Sequence, residues 1–186
     1  MGLVSFVCWV ALGLAMVLAE VRLGNRKDVN PTPQAKSMDF LMILGTGFAL
    51  IGPGILGSIR AQGSDAPSFV AGLVLGFMGL LLRIVAMYQL GNRYTLTPQD
   101  QSGDSGVMKD GLYAVVRHPG YSGILTQLAG MAIIAADWWG AVCLLPLCLL
   151  TIARIHGEEH LLVREFAAQY QRYQKSVRWR LVPWIF

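Results

Sequence analysis

Residues Ser68–Leu90 read SFVAGLVLGFMGLLLRIVAMYQL, with Arg83 as their one charge. A helix that crosses a bilayer needs about 20 mostly apolar residues. Four further runs of this kind, bounded by charges or turn residues, are Leu3–Ala19, Phe40–Ile59, Pro119–Ala136 and Trp138–Ala153. Only Asp137 separates the last two, which predicts a tight helical hairpin with Trp138 and Trp139 at interfacial depth. The expected architecture is all-α: an integral membrane bundle of five transmembrane helices. The spans take up roughly half of the chain, so residues 1–186 form one expected domain.

Composition agrees. Of the 186 residues 54% are hydrophobic and 14% charged, and mean hydropathy is +0.50. Soluble domains average roughly 45–50% apolar and about 25% charged, and disordered chains are charge-rich. Cys8, Cys143 and Cys148 are too few for a disulfide scaffold, and Cys143 and Cys148 do not share a helical face for a metal. Val17-Leu18-Ala19 resembles a signal cleavage site, but no Lys or Arg precedes it, so the first span reads as a retained helix.

Basic residues accumulate in cytoplasmic loops. With five spans, 13 of the 15 Lys and Arg fall on one side, which predicts an outside N-terminus and a cytoplasmic C-terminus. Inside the spans, Gly72, Gly76 and Gly79 form a small-residue face suited to close helix packing. Pro53 should kink the second span. Arg83 either snorkels, pairs within the bundle, or meets an anionic group of a substrate.

Reactive side chains gather in two stretches on the cytoplasmic side. The first, Lys109–Gly123, runs into the fourth span through Arg117-His118-Pro119. Proline suits the first turn of a helix, which puts His118 where free N–H groups favour an anion. Gly111, Gly120 and Gly123 let backbone approach a ligand. The second stretch follows the fifth span. Glu159, Leu162, Phe166, Tyr170 and Tyr173 recur at helical spacing, opposite Arg164, Gln171 and Lys175. That pattern predicts an amphipathic C-terminal helix against the bundle or membrane surface. His156 and His160 have an i, i+4 spacing without the rest of a metal motif, so no metal is expected. No basic–aromatic array points to nucleic acid.

Gly111-x-Tyr113-x-x-x-Arg117-His118-Pro119-x-Tyr121-x-Gly123 is followed, after the hairpin, by Arg154-x-x-x-Glu158-Glu159-x-x-Leu162-x-x-x-Phe166 and Tyr170-x-x-Tyr173. With the ending Arg180-Leu181-Val182-Pro183, this order resembles the isoprenylcysteine carboxyl methyltransferase family over about residues 88–186. Residues 1–87 match only in being hydrophobic helices. The resemblance extends, more loosely, to membrane phospholipid methyltransferases and sterol reductases.

The resemblance implies a membrane methyltransferase that uses S-adenosyl-L-methionine from the cytoplasm, leaves S-adenosyl-L-homocysteine, and takes a lipophilic or prenylated acceptor from the lipid bilayer. By that likeness the Gly111, Leu112 and Tyr113 backbone, His118 and Tyr121 surround the cofactor, and Glu159 completes its pocket. Arg154 faces the acceptor's reacting end, and Arg83 is a second candidate for substrate contact. Ala167 departs from the pattern, standing where the family commonly has glycine. Carboxylate and amine acceptors both remain open; an amine would need a catalytic proton acceptor, for which His118 or Glu159 are the candidates. Other classes are an NADPH-dependent reductase of sterol-like lipids and a non-catalytic lipid-binding protein. The methyltransferase expectation requires His118, Tyr121, Arg154 and Glu159 to meet in one pocket.

Overall fold

The computed structural model describes residues 3–23, 33–59, 65–91, 107–135 and 138–186. These form helices α1 (Leu3–Leu23), α2 (Pro33–Ile59), α3 (Ala66–Leu90), α4 (Pro119–Ile134) and α5 (Trp138–Ser176), with a 3-10 turn at Gly111–Ala114. Among the described residues there is no strand. α1, α2, α3 and α5 contain stretches long and apolar enough to cross a membrane. α4 has 16 residues, a rise of about 24 Å at 1.5 Å per residue, short of the hydrocarbon thickness of about 30 Å.

The shortest helix is the best buried. Leu128, Met131 and Ile134 of α4 are fully enclosed, and with Ile124 they meet Leu12 and Met16 of α1, Ala49 of α2 and Leu147 of α5. The outer helices turn large apolar side chains outward: Phe6 and Leu18, Phe40 and Ile51, Phe77 and Leu81. In water such a surface would drive aggregation; in lipid it is the solvated face. Chain composition and packing therefore describe an integral membrane protein.

Small residues seat α3 on α4. A Cβ on Gly79 would strike the Gln127 backbone, and one on Gly130 the Gly76 backbone. A Cβ on Gly123 would lie 2.6 Å from the Arg83 nitrogen. The glycine face read at Gly72, Gly76 and Gly79 is thus the α3–α4 seam, continued on α4 by Gly123 and Gly130. Dispersion forces between closely approaching backbones hold such a seam where lipid removes the hydrophobic drive.

The chain departs from the expected division at its C-terminal end. The fifth apolar run and the helix after it form one element, α5, continuous to a break at Ala167 (φ 39°, ψ −117°). Asp137 of the expected hairpin and the side chains of Trp138 and Trp139 lie outside the described residues. Beyond the bundle, burial along α5 is one-sided: Glu159, Tyr170 and Tyr173 are buried, while Arg164, Gln171 and Lys175 are exposed. Tyr170, Tyr173 and Val177 pack with Val107, Leu162 and Phe166, so this segment rests on the chain that enters α4. The tail then returns to the start of α4. The N–H groups of Arg117 and His118 donate to the carbonyls of Trp179 and Arg180, each at 2.9 Å.

Candidate active site

Pro119 opens α4 and His118 caps it with φ −127°, ψ 58°. This entry turns the side chains of Arg117 and His118 inward, and α5 brings Glu159 to meet them. Glu159 is 5% exposed. Arg117 Nε donates to Glu159 Oε1 at 2.7 Å and His118 Nε2 lies 3.3 Å from the same oxygen. Arg180 Nε donates to Oε2 at 3.1 Å. Arg117 also ties down the tail, donating from one terminal nitrogen to the carbonyls of Val177 (2.7 Å) and Arg178 (2.8 Å).

Burial by itself raises the pKa of Glu159, but the hydrogen bonds of His118 and Arg117, with the charge of Arg117, bring it down to about 2. The carboxylate is therefore ionised and can only accept, so the His118 nitrogen facing it carries the proton. A carboxylate held this way is a weak base. Glu159 binds the α4 entry, α5 and the tail together, which makes it a poor proton acceptor at neutral pH.

Glu158 has the complementary situation. Its side chain is 28% exposed, Tyr121 donates its O–H to Oε2 at 3.2 Å, and His118 Nδ1 lies 4.0 Å away. The Tyr121 oxygen in turn accepts from Arg154 Nε at 2.7 Å. Arg154 is 9% exposed, and its terminal nitrogen NH1 donates to Asp39 Oδ1 on α2. A connected line thus runs from Asp39 through Arg154 and Tyr121 to Glu158, passing beside His118 and Glu159.

The 3-10 turn forms the outer edge. Gly111 has φ +60°, a conformation that favours glycine, and a Cβ there would strike the Gln89 side chain. Gln89 Oε1 accepts the Leu112 N–H at 3.0 Å. Tyr173 O–H donates to the Tyr113 carbonyl at 2.7 Å. Burial pushes the Tyr170 and Tyr173 phenols above their ordinary range, so they remain hydrogen-bond donors through neutral pH.

His118, Tyr121, Arg154 and Glu159 therefore share one polar centre at one end of the bundle, with Gly111, Leu112 and Tyr113 packed beside it on α3 and α5. Arg83 has a different carboxylate partner from Arg154. It is buried, its Nε and NH2 both contact Glu20 Oε1 of α1 at 2.7 Å, and its NH1 lies 2.7 Å from where a Gly120 Cβ would project. Pairing within the bundle is thus the placement of this intramembrane charge. Sequence reasoning passed over Asp39 and Glu20, and gave Arg117 and Arg180 no role of their own. Arg117 and Arg180 stood inside quoted motifs, where basic residues facing the paired acids were the available signal. His156 and His160 are exposed, and among the described residues no group of three or more His, Cys, Asp or Glu could hold a metal ion.

Fold and site together define an integral membrane protein of packed helices with a buried arginine–carboxylate centre at one end. The model of the isoprenylcysteine carboxyl methyltransferase (ICMT) family matches residues 72–164, half of the chain, and the chain belongs to that family. It is 33% identical over 107 residues to a protein-S-isoprenylcysteine O-methyltransferase of Schizosaccharomyces pombe, covering 55% of this chain and 45% of that one. With the enzyme of the same name from Dictyostelium discoideum it shares 31% over 125 residues, 61% of this chain and 48% of the relative. The Xenopus laevis enzyme is 30% identical over 118 residues, 58% and 38% of the two chains. The chain thus spans about half or less of the length of these relatives. Its fold is similar to the solved eukaryotic intramembrane Ras methyltransferase ICMT, with a TM-score of 0.57 at 24% identity over 92% of this chain and 61% of that one.

Proposed function

We propose that this chain is an S-adenosylmethionine-dependent methyltransferase acting on a lipophilic acceptor, with the carboxylate of a prenylcysteine-like acid as the preferred nucleophile. The observation that carries the reading is the meeting of Arg154, Tyr121, Glu158, His118 and Glu159 at the entry of α4. In this reading the chain crosses the membrane five times. α4 completes its crossing within the bundle, and the helix after Arg154 lies along the cytoplasmic surface. The N-terminus is outside, and the site faces the cytoplasm for its cofactor and the bilayer for its acceptor.

The donor set fits the cofactor, which carries cationic sulfonium and ammonium groups and one carboxylate. Glu158 offers a part-exposed carboxylate to a cation, and Gly157 beside it has nothing within 4 Å of its Cβ position. The Gly111, Leu112 and Tyr113 backbone, His118 and Tyr121 would line the same pocket, and Glu159 would keep His118 in place. Bound there, the cofactor supplies an electrophilic methyl group on sulfur. An acceptor carboxylate would take this methyl group with no proton to lose. A carboxylate has a reference pKa near 4, so it needs no general base. What it needs is a cation that draws it out of water and aligns it. Arg154 is that cation, and alignment of this kind lowers barriers by roughly 7–11 kcal/mol. Arg83, ion-paired with Glu20 and with its NH1 beside Gly120 at the first turn of α4, is the second candidate for acceptor contact.

Thermal unfolding of the detergent-purified protein with S-adenosylhomocysteine tests the cofactor assignment, with NADPH as comparator. At 100 times its dissociation constant a ligand adds about 2.7 kcal/mol of stability. The reading expects a clear rise in Tm with S-adenosylhomocysteine and none with NADPH. A response to NADPH alone would replace it with a reductase.

A further inference from the structure

Helix α2 lies outside the residues matched by the family model, and its sequence looks like membrane filler. It nevertheless carries an acid, Asp39, close to the start of an apolar run. A carboxylate at the edge of hydrocarbon is expensive unless it is paired, and Asp39 is paired with Arg154, the cation that the reading above places against the acceptor. Arg154 is held at two different nitrogens from two different helices: NH1 by Asp39 of α2 and Nε by Tyr121 of α4. A guanidinium gripped at one nitrogen can swivel about that contact. Gripped at two, its plane is fixed, and with it the direction of every N–H it presents.

We infer that Asp39 is a positioning residue for methyl transfer, setting the plane of Arg154 so that the acceptor's carboxylate is aligned for attack. The inference rests on the proposed function and extends it to the half of the chain that the family motifs do not reach. Asp39 also balances the charge of Arg154 before the acceptor arrives, so the site need not hold a buried cation alone. This gives its removal a particular signature. Without Asp39 the positive charge of Arg154 remains, so attraction for a carboxylate persists while orientation is lost. The effect belongs in kcat, with the KM for the acceptor nearly unchanged. A residue that merely fastens α2 to α5 would instead lower stability and cofactor binding together.

The test compares Asp39→Ala and Asp39→Asn with the parent in the full chain, using S-adenosylmethionine and N-acetyl-S-farnesylcysteine as probe acceptor. Asparagine keeps the accepting oxygen and loses the charge; alanine loses both. Misalignment costs about 10- to 100-fold in rate, so kcat should fall by that factor in Asp39→Ala. Asp39→Asn should be intermediate. The acceptor KM should stay within about threefold, and the Tm shift with S-adenosylhomocysteine should match the parent. If the alanine variant does not fold, the asparagine variant decides. A parental kcat in folded Asp39→Asn, or a loss of cofactor-product stabilisation in step with activity, overturns the positioning role while turnover by the parent upholds the function. Absence of turnover by the parent overturns the function, and the positioning role with it.

Discussion

Helices α1 and α2 bring one carboxylate each to the bundle, Glu20 and Asp39, and each meets an arginine of a later helix, Arg83 or Arg154. Around Glu159 the arrangement is denser. Both its oxygens are taken, three cationic side chains or imidazoles converge on it, and Arg117 carries the connection on to the tail. The early helices thus each reach a later helix through one carboxylate, Glu20 tying α1 to α3 and Asp39 holding Arg154 of the site. The C-terminal half uses a closed network that orders α4, α5 and the tail into one surface. Single pairs with a partner open to solvent contribute little, whereas breaking a buried network leaves a charge stranded.

That contrast is sharpest under mutation. Arg117→Met should remove one of the three partners of Glu159 and the donor to two backbone carbonyls, and cost about 3–5 kcal/mol, read as a large fall in Tm in detergent. Glu20→Gln should cost clearly less, because the glutamine oxygen can still accept from Arg83 and position 20 is a quarter exposed. Equal losses from the two variants would erase the distinction between the halves.

Acid should act on the same network. Glu159 has a pKa of about 2 in the folded protein against an ordinary 4.5. The folded state therefore binds this proton more weakly than the unfolded one. Its contribution is complete above pH 4.5 and is lost as pH falls toward 2. Unfolding followed between pH 5 and 2 should show that loss, a few kcal/mol in size, and Arg117→Met should flatten it. A parental slope in the variant would place the acid sensitivity elsewhere.

The smallest expected effect lies at Ala167, where α5 breaks at φ 39°. A side chain is strained there and glycine is not. Ala167 is exposed, so Ala167→Gly loses little packing and should gain about 1 kcal/mol. A decrease in Tm would show that the segment from residue 168 is held by the helix rather than by Tyr170 and Tyr173.

The sequence makes the two halves unequally legible. Apolar runs place α1, α2, α3 and the start of α5 closely, because a helix in lipid must satisfy its own backbone and needs a definite length. The glycines at 72, 76 and 79 likewise announce the α3–α4 seam. The shared site of His118, Tyr121, Arg154 and Glu159 is legible through motif order, since spacing and family pattern agree. The division of labour between Glu158 and Glu159 is not, because adjacent acids look alike until their neighbours are known. Asp39 and Glu20 are equally hidden: each is a lone acid at the edge of an apolar run, and its partner lies on a helix far along the chain. The continuity of α5 is hidden because a change of face from lipid to protein resembles a new helix.

The central claim is that this centre transfers a methyl group to a lipophilic carboxylate. It is tested most directly by incubating the purified protein in lipid nanodiscs with methyl-labelled S-adenosylmethionine and N-acetyl-S-farnesylcysteine, then treating the lipophilic product with base. The account predicts label in the product that base releases as methanol, as a carboxyl methyl ester must, and little label with Arg154→Ala. Label that survives base, or equal transfer by the parent and Arg154→Ala, would contradict it.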